Sequence, residues 1–433
     1  MRYQTYGTGT SGPSLSADVS GFGSFQLVDM VLQAVTSGKT LNWEIGEGGS
    51  IESKPQWSNG RIYFGACDKN FYCLTEKGQE LWRFATKGPI CGNATVAGGA
   101  VYFGSYDNIL YALDLEGNLL WKFGTTGKIF SKPLVVDDMI CFGSQDKNLY
   151  AVNSDGEKQW AFRTKGPVSS GPAYGNGVIY FGSYDYNLYA VDENGGLLWT
   201  FPTKGEIIMW VSYQDGVVYF SSFDKNLYAV DAGNGQLIWK YPTNSPQDNG
   251  QLVTKDAVYL GGRDGVMHAV SLEGSRLWTF TTNEWVGIGS DIGSGLLFFG
   301  SADNNLYAVK AKTGHLEWKF NTRSLVVGTP TVAGEKIIFG GWDGNLYALS
   351  MDGNVLWKFH TSISTPAPFH IDNPYEVKDT FKVTWQQEAA SEKEDRYASK
   401  GSSMGEGLSL YGTGDVGYAG SRKEYVGKKK GYR

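Results

Sequence analysis

The sequence predicts an all-β fold, an eight-bladed β-propeller of four-stranded antiparallel blades. Three observations predict it. A unit of 39 or 40 residues recurs eight times along the 433-residue chain. The apolar pattern inside each unit has a period of two, which is the period of a strand. Each unit closes on a tryptophan, a flat apolar surface of the size that fills a gap between packed sheets.

The unit runs apolar-aromatic-Phe-Gly-Ser, a turn with Asp, Asn-Leu-Tyr-Ala-Val-Asp, a Gly turn, then apolar-Trp-Lys-Phe, clearest from Val101 to Phe123. The Asp recurs at Asp68, Asp107, Asp146, Asp185, Asp224, Asp264, Asp303 and Asp343. The Trp recurs at Trp82, Trp121, Trp160, Trp199, Trp239, Trp278, Trp318 and Trp357. In the third unit the four strands are expected at Phe130–Val136, Met139–Ser144, Asn148–Asn153 and Lys158–Phe162. Turns such as Asn59-Gly60, Asn176-Gly177 and Asp215-Gly216 between the first two strands carry residues that accept the positive φ of tight hairpins. Meanders of this length, repeated without interruption, bury their faces by packing around a central axis.

Within the unit, Ala-x-Asp-x-x-x-Gly-x-x-x-Trp is complete from Ala229 through Asp231 and Gly235 to Trp239, and one residue shorter from Ala190 to Trp199. The small Ala leaves room for a large neighbour, the Gly makes the turn, and the Trp wedges between blades. The Asp ladder reads as turn capping. On these residues the unit resembles the quinoprotein-type (PQQ-type) propeller repeat with its tryptophan-docking motif, over about residues 39–362. That family holds quinone-dependent alcohol dehydrogenases and non-enzymatic BamB-like propellers, so the resemblance specifies fold far more than function.

Composition agrees with many short strands and tight turns: 59 glycines, 14% aromatics and only 13 prolines. A net charge of −6 gives no nucleic-acid signature. No apolar run reaches membrane-spanning length, so no membrane insertion is expected. The residues from Met1 to Ser20 show no secretion signal, which together with the expected free thiols points to the cytoplasm. The four cysteines, Cys67, Cys73, Cys91 and Cys141, match no zinc spacing. They are read as buried small hydrophobes, Cys73 in place of Ala, Cys67 in place of Ser or Gly, and Cys141 in place of Tyr or Phe.

Catalysis finds no support in the motifs. The quinoprotein dehydrogenases have a vicinal Cys-Cys disulfide, a calcium site, an Asp base and long loops that roof the cofactor. This chain has no adjacent cysteines, and its units keep a near-constant length. The four histidines form no HxH or HExxH pattern, and His268 stands where the repeat has Tyr. No phosphate-binding loop, dinucleotide fingerprint or nucleophile elbow is present. The expectation is therefore no enzyme, no cofactor and no metal.

A binding site is expected where the units depart from their own pattern. The first strand lines the channel, mostly with small and polar residues such as Ser53-Lys54, Ser131-Lys132 and Ser169-Ser170. The fifth unit has Met209-Trp210 there, the sixth Asp248-Asn249-Gly250-Gln251, and Trp285 precedes the seventh. Met209, Trp210, Asn249, Gln251 and Trp285 are the candidate partner contacts. Lys87, Lys165, Lys204 and Arg323, each five residues after its Trp, add a partial basic ring on one face.

The expected organisation is an N-terminal segment at 1–38, partly ordered, a propeller at 39–371, and a mostly flexible extension at 372–433. Trp43 stands 39 residues before Trp82. Leu41–Ile45 therefore reads as an extra outer strand, and Gly21 to Val35 as either a decayed repeat or a short helix. These ends, with Ser364–Ile371 as another inner strand, are expected to clasp the ring, the N-terminal strand pairing beside the last blade. The run Tyr6 to Gly9 recurs at Tyr411 to Gly414, as coincidence or as a segment that orders on a partner. The leading function is a non-catalytic scaffold for protein partners. Rival readings are a PQQ-binding oxidoreductase and a carbohydrate- or surface-binding module.

Overall fold

The computed structural model describes residues 49–247 and 249–361 in full, together with the backbone of four strands, Tyr3–Tyr6, Met30–Thr36, Lys39–Ile45 and Lys382–Gln387. Asp248 and the expected Ser364–Ile371 strand lie outside the described residues, as do 388–433 and the two Tyr-Gly-Thr-Gly runs apart from Tyr6. Eight four-stranded antiparallel sheets follow one another, each built from consecutive strands. Blade 1 comprises Gln56–Ser58, Arg61–Gly65, Asn70–Thr75 and Glu80–Ala85, and blade 8 comprises Thr331–Ala333, Lys336–Gly340, Asn345–Ser350 and Val355–His360. No helix occurs among the described residues.

In blade 3 the middle strands fall at Met139–Ser144 and Asn148–Asn153, as the sequence predicts. The inner strand is shorter than expected, Leu134–Val136 rather than Phe130–Val136. Residues 130–133 instead run along the axis as irregular chain. The turns Asn59-Gly60, Asn176-Gly177 and Asp215-Gly216 all take positive φ at both residues, as primed hairpin turns require.

The seams between blades repeat one contact. Each Trp indole N–H donates to a backbone carbonyl in the next blade's third turn, from Trp82 to Leu115 at 3.0 Å through Trp318 to Met351 at 2.8 Å. The indole lies flat on the glycine of that turn. A Cβ at Gly117 would come within 2.6 Å of Trp82, and Gly117 has a φ of 88°. The Ala expected to make room faces the Trp across the strands, as in Ala112 opposite Trp121, with Cys73 taking its place opposite Trp82. A second contact runs parallel to the first: Phe84 of blade 1 meets Phe103 and Tyr111 of blade 2 edge-on, and the pattern recurs around the ring.

The ring closes without exchanging strands. Trp357 of blade 8 donates to Glu76 of blade 1 at 3.0 Å and packs on Gly78. Ile62, Phe64 and Leu74 of blade 1 share one buried cluster with Ile338, Leu346 and Ala348 of blade 8. The expected clasp is therefore corrected: Lys39–Ile45 pairs with Met30–Thr36 and Tyr3–Tyr6, and Met30–Thr36 pairs with Lys382–Gln387, forming a separate sheet. Residues 30–36 are a strand, not a helix. Trp43 faces Leu32, whereas a true repeat would set it opposite Ala34.

Candidate functional site

Between the outer strand of one blade and the inner strand of the next, the chain passes along the axis. One backbone bond steers it there each time. Ile90, Ile129 and Ile207 donate N–H to Ala66, Ser105 and Ser183 at the second-turn corner of the preceding blade. Their side chains press on Gly65, Gly104 and Gly182, where a Cβ would meet the isoleucine at 2.1–2.2 Å. This contact accounts for the Gly of the repeated Phe-Gly pair.

The residues that follow differ from blade to blade. Ile208, Met209, Trp285, Ile288, Val327 and Trp342 form a buried apolar plug, with Phe130, Tyr184, Trp210 and Phe223 packed on it. The Trp210 indole lies over Gly250 and Gly289, its N–H donating to the Gln251 carbonyl at 3.0 Å. Gln251 is buried and donates back to the Trp210 carbonyl at 3.1 Å and to that of Tyr219 at 2.9 Å. Asn249, also buried, donates to the Val286 carbonyl at 2.9 Å. Both side chains stitch blade 6 to its neighbours, where its inner strand has only two residues, Leu252–Val253. The candidate contacts Met209, Trp210, Asn249, Gln251 and Trp285 are thus brought together, in an internal plug rather than an open patch. The indole N–H groups of Trp285 and Trp342 are buried with no protein acceptor among the described residues. Ordered water is the usual partner for such a donor.

Beside the plug, a cavity is lined by Glu52, Cys91, Asn93, Lys132 and Trp210, among others. Lys54 pairs with Asp291 at 3.2 Å, tying blade 1 to blade 7 past the inner strand of blade 8, whose Val332 N–H donates to the same carboxylate. Lys132 is reached by solvent from the channel yet closely surrounded by protein. Desolvation, with Lys54 adding to it, lowers its pKa.

The Asp ladder does more than cap a turn. Asp107 Oδ1 accepts from the Ile109 N–H, and Oδ2 takes both the Tyr111 hydroxyl at 2.8 Å and the Lys87 N–H at 2.9 Å. Asp185 and Asp224 hold Lys165 and Lys204 in the same way. The side chains of Lys87, Lys165 and Lys204 are exposed, on loops pinned by the next blade. Arg323 is exposed too, but its N–H bonds Asn321 within its own blade. His268 packs as a strand residue, buried against the Tyr241 hydroxyl at 3.2 Å, and burial lowers its pKa.

The cysteines divide into two kinds. Cys73 and Cys141 are buried small hydrophobes, and burial pushes both thiols up to about 12. Cys67 and Cys91 instead meet at the axis, with sulfurs 2.7 Å apart and a Glu52 carboxylate oxygen close by. The reading of Cys67 is corrected here. Ala66 occupies the Ser position, and Cys67 takes the position that is Tyr106, Tyr184, Phe223 or Trp342 in other blades. Spacing hid this group because ring geometry, not sequence distance, brings 52, 67 and 91 together.

Fold and axis define an eight-bladed propeller of the quinoprotein-like repeat type. A family model described as outer membrane protein assembly factor BamB matches residues 28–160, 145–279 and 263–393, and the chain belongs to that family. No curated protein matches it. Among solved structures, the computationally designed Ika8 protein is 16% identical with a TM-score of 0.63, over 70% of this chain and 98% of that one. BamB from Moraxella catarrhalis is 18% identical with a TM-score of 0.58, over 77% of this chain and 98% of that one. At these identities the likeness is one of fold.

Proposed function

We propose that the chain is a non-catalytic scaffold that presents one propeller face to a protein partner within a larger assembly. The observation that carries this reading is the axis. A plug of packed side chains takes up much of the centre of the ring, and the near-constant blades leave the two faces and the rim as the broad working surface. The family's description as an assembly factor points the same way. The face bearing Lys87, Lys165, Lys204 and Arg323 is the one assigned to the partner. The loops of Lys87, Lys165 and Lys204 are pinned by neighbouring blades, so little ordering cost accompanies binding there. An acidic surface is the complement it fits. The compartment stays with the sequence-based expectation, the cytoplasm, which cell fractionation tests.

The test is affinity capture from native lysate with the wild-type chain and with a variant carrying Lys87→Glu, Lys165→Glu, Lys204→Glu and Arg323→Glu. The expected result is a partner captured by the wild type and lost by about tenfold or more from the variant, with the fold unchanged by circular dichroism. Equal capture by both chains removes this face from consideration. Dye reduction by the wild-type chain on addition of PQQ and calcium would replace the scaffold reading with the oxidoreductase one.

A further inference from the structure

We propose that Glu52, Cys67 and Cys91 form a binding site for a thiophilic divalent cation of the zinc class. The two sulfurs and a carboxylate oxygen lie within 4.8 Å of one another, and all three residues are buried. They come from two adjacent blades. Glu52 and Cys91 hold the same repeat position, 39 residues apart, and Cys67 sits at the second-turn corner of blade 1.

At the position of Glu52 and Cys91 the other blades carry Phe130, Ser169, Ile208, Asp248, Gly287 and Val327. At the position of Cys67 most other blades carry a large side chain, such as Tyr106 or Trp342. A rotational repeat left to packing alone has no reason to place its ligand-type departures at one point. Here Glu52, Cys67 and Cys91 converge from two neighbouring blades, and they are residue types that bind zinc.

The backbone holds the three in register. The Cys67 N–H donates to the Ser50 carbonyl at 2.9 Å, two residues before Glu52. Ser53 Oγ bonds the backbone of Gly65 in both directions, at 2.8 and 3.1 Å, two residues before Cys67. Asn93 Oδ1 accepts the Lys54 N–H at 2.6 Å, joining the Glu52 segment to the Cys91 segment. A site supported by such bonds is formed before its ligand arrives.

The donor set selects the cation. Two thiolates exclude magnesium and calcium, which take oxygen ligands. Three protein ligands leave a tetrahedral ion one open position. Glu52 and Cys91 line the axial cavity, so that position faces a space from which water or a partner's group is supplied. A zinc–sulfur bond of about 2.3 Å sets two sulfurs of a tetrahedral site roughly 3.8 Å apart. Binding the ion requires the present 2.7 Å separation to open to that value. Two thiolates and a carboxylate exceed the cation's charge by one. The ammonium of Lys128 lies 5.1 Å from the ring centre of Tyr106, the aromatic packed on the two cysteines.

The probe is zinc itself. The full chain, kept reduced, is incubated with zinc, desalted and analysed for metal. The expected result is about one zinc retained per chain and a raised melting temperature. Cys67→Ser and Cys91→Ser each lose retention, Glu52→Gln weakens binding by about tenfold or more, and Cys73→Ser binds as the wild type. Should a serine variant fail to fold, cadmium titration of the wild type decides, since sulfur ligation gives a thiolate-to-cadmium ultraviolet band. A reduced wild-type chain that retains no zinc and gives no band overturns the proposal. A Cys67–Cys91 linked peptide in the chain isolated without reductant, with the reduced chain indifferent to zinc, overturns it in favour of a disulfide.

Discussion

The circumference and the axis of this ring obey different rules. At the circumference the same indole rests on the same turn glycine at every seam, from Trp82 on Gly117 to Trp357 on Gly78. At the axis the blades differ. Blade 5 projects Trp210 and Met209, while blades 6 and 7 answer with Gly250 and Gly289. A seam must tile by rotation, so one poor contact strains the closure of all. The axis has only to be filled. A large side chain from one blade is matched by the absence of one in the next, and residues there are free to diverge toward chemistry.

The largest effect is expected at a seam. Trp278 is buried and donates to the Ala311 carbonyl at 2.9 Å. Trp278→Ala is expected to cost about 3–5 kcal/mol in urea unfolding. Its neighbour on the same strand, Leu277, is 52% exposed. Leu277→Ala is expected to stay within about 0.5 kcal/mol. Similar losses at the two positions would mean that the seams do not hold the ring together.

This division also explains what the sequence makes legible. The seams could be read because repetition multiplies the signal: the Trp and Asp ladders and the paired turns recur at nearly fixed spacing. The axis could not. Met209, Trp210 and Trp285 are visible as departures, but whether a departing tryptophan fills a gap or faces a partner depends on what the opposite blades lack. Nothing in the local sequence of Gly250 and Gly289 says that the ring sets them under Trp210. Cys67 was set one repeat position too early, and its proximity to Cys91 follows from the packing of adjacent blades rather than from spacing. The ends failed differently. Trp43 keeps the repeat interval, yet its strand pairs in another register, because no complete unit precedes it to fix one.

A middle-sized effect tests whether the axis is a packed solid. A Cβ at Gly250 would sit 2.0 Å from ring atoms of Trp210. Gly250→Ala is expected to destabilise by about 1–3 kcal/mol through overpacking. Adding Trp210→Leu should relieve part of that cost, giving a coupling of about 1 kcal/mol in a double-mutant cycle. Additive losses would show that the plug yields freely and that the two residues do not share one space.

The smallest effect lies in the Asp ladder, between rim and axis, and concerns its pH dependence. Asp68 adjoins the axial cysteine and is raised above 3.8, because burial outweighs the bonds from Tyr72 and Asn70. Asp146 sits in a regular blade and is lowered, because bonds from Asn148, the Thr126 N–H, Tyr150 and Ser144 together overcome its burial. A raised carboxyl contributes stability below its unfolded pKa and loses it as pH rises through the folded value. A lowered one contributes above its unfolded pKa and loses that as pH falls through the folded value. Replacing each by Asn removes the titration, so the two variants should diverge. From about pH 6 to pH 3, the cost of Asp146→Asn should shrink while that of Asp68→Asn grows. Urea unfolding across that range reads both slopes. Parallel slopes would mean that the axial blade treats its aspartate as every other blade does, and that the divergence at the axis stops short of the ladder.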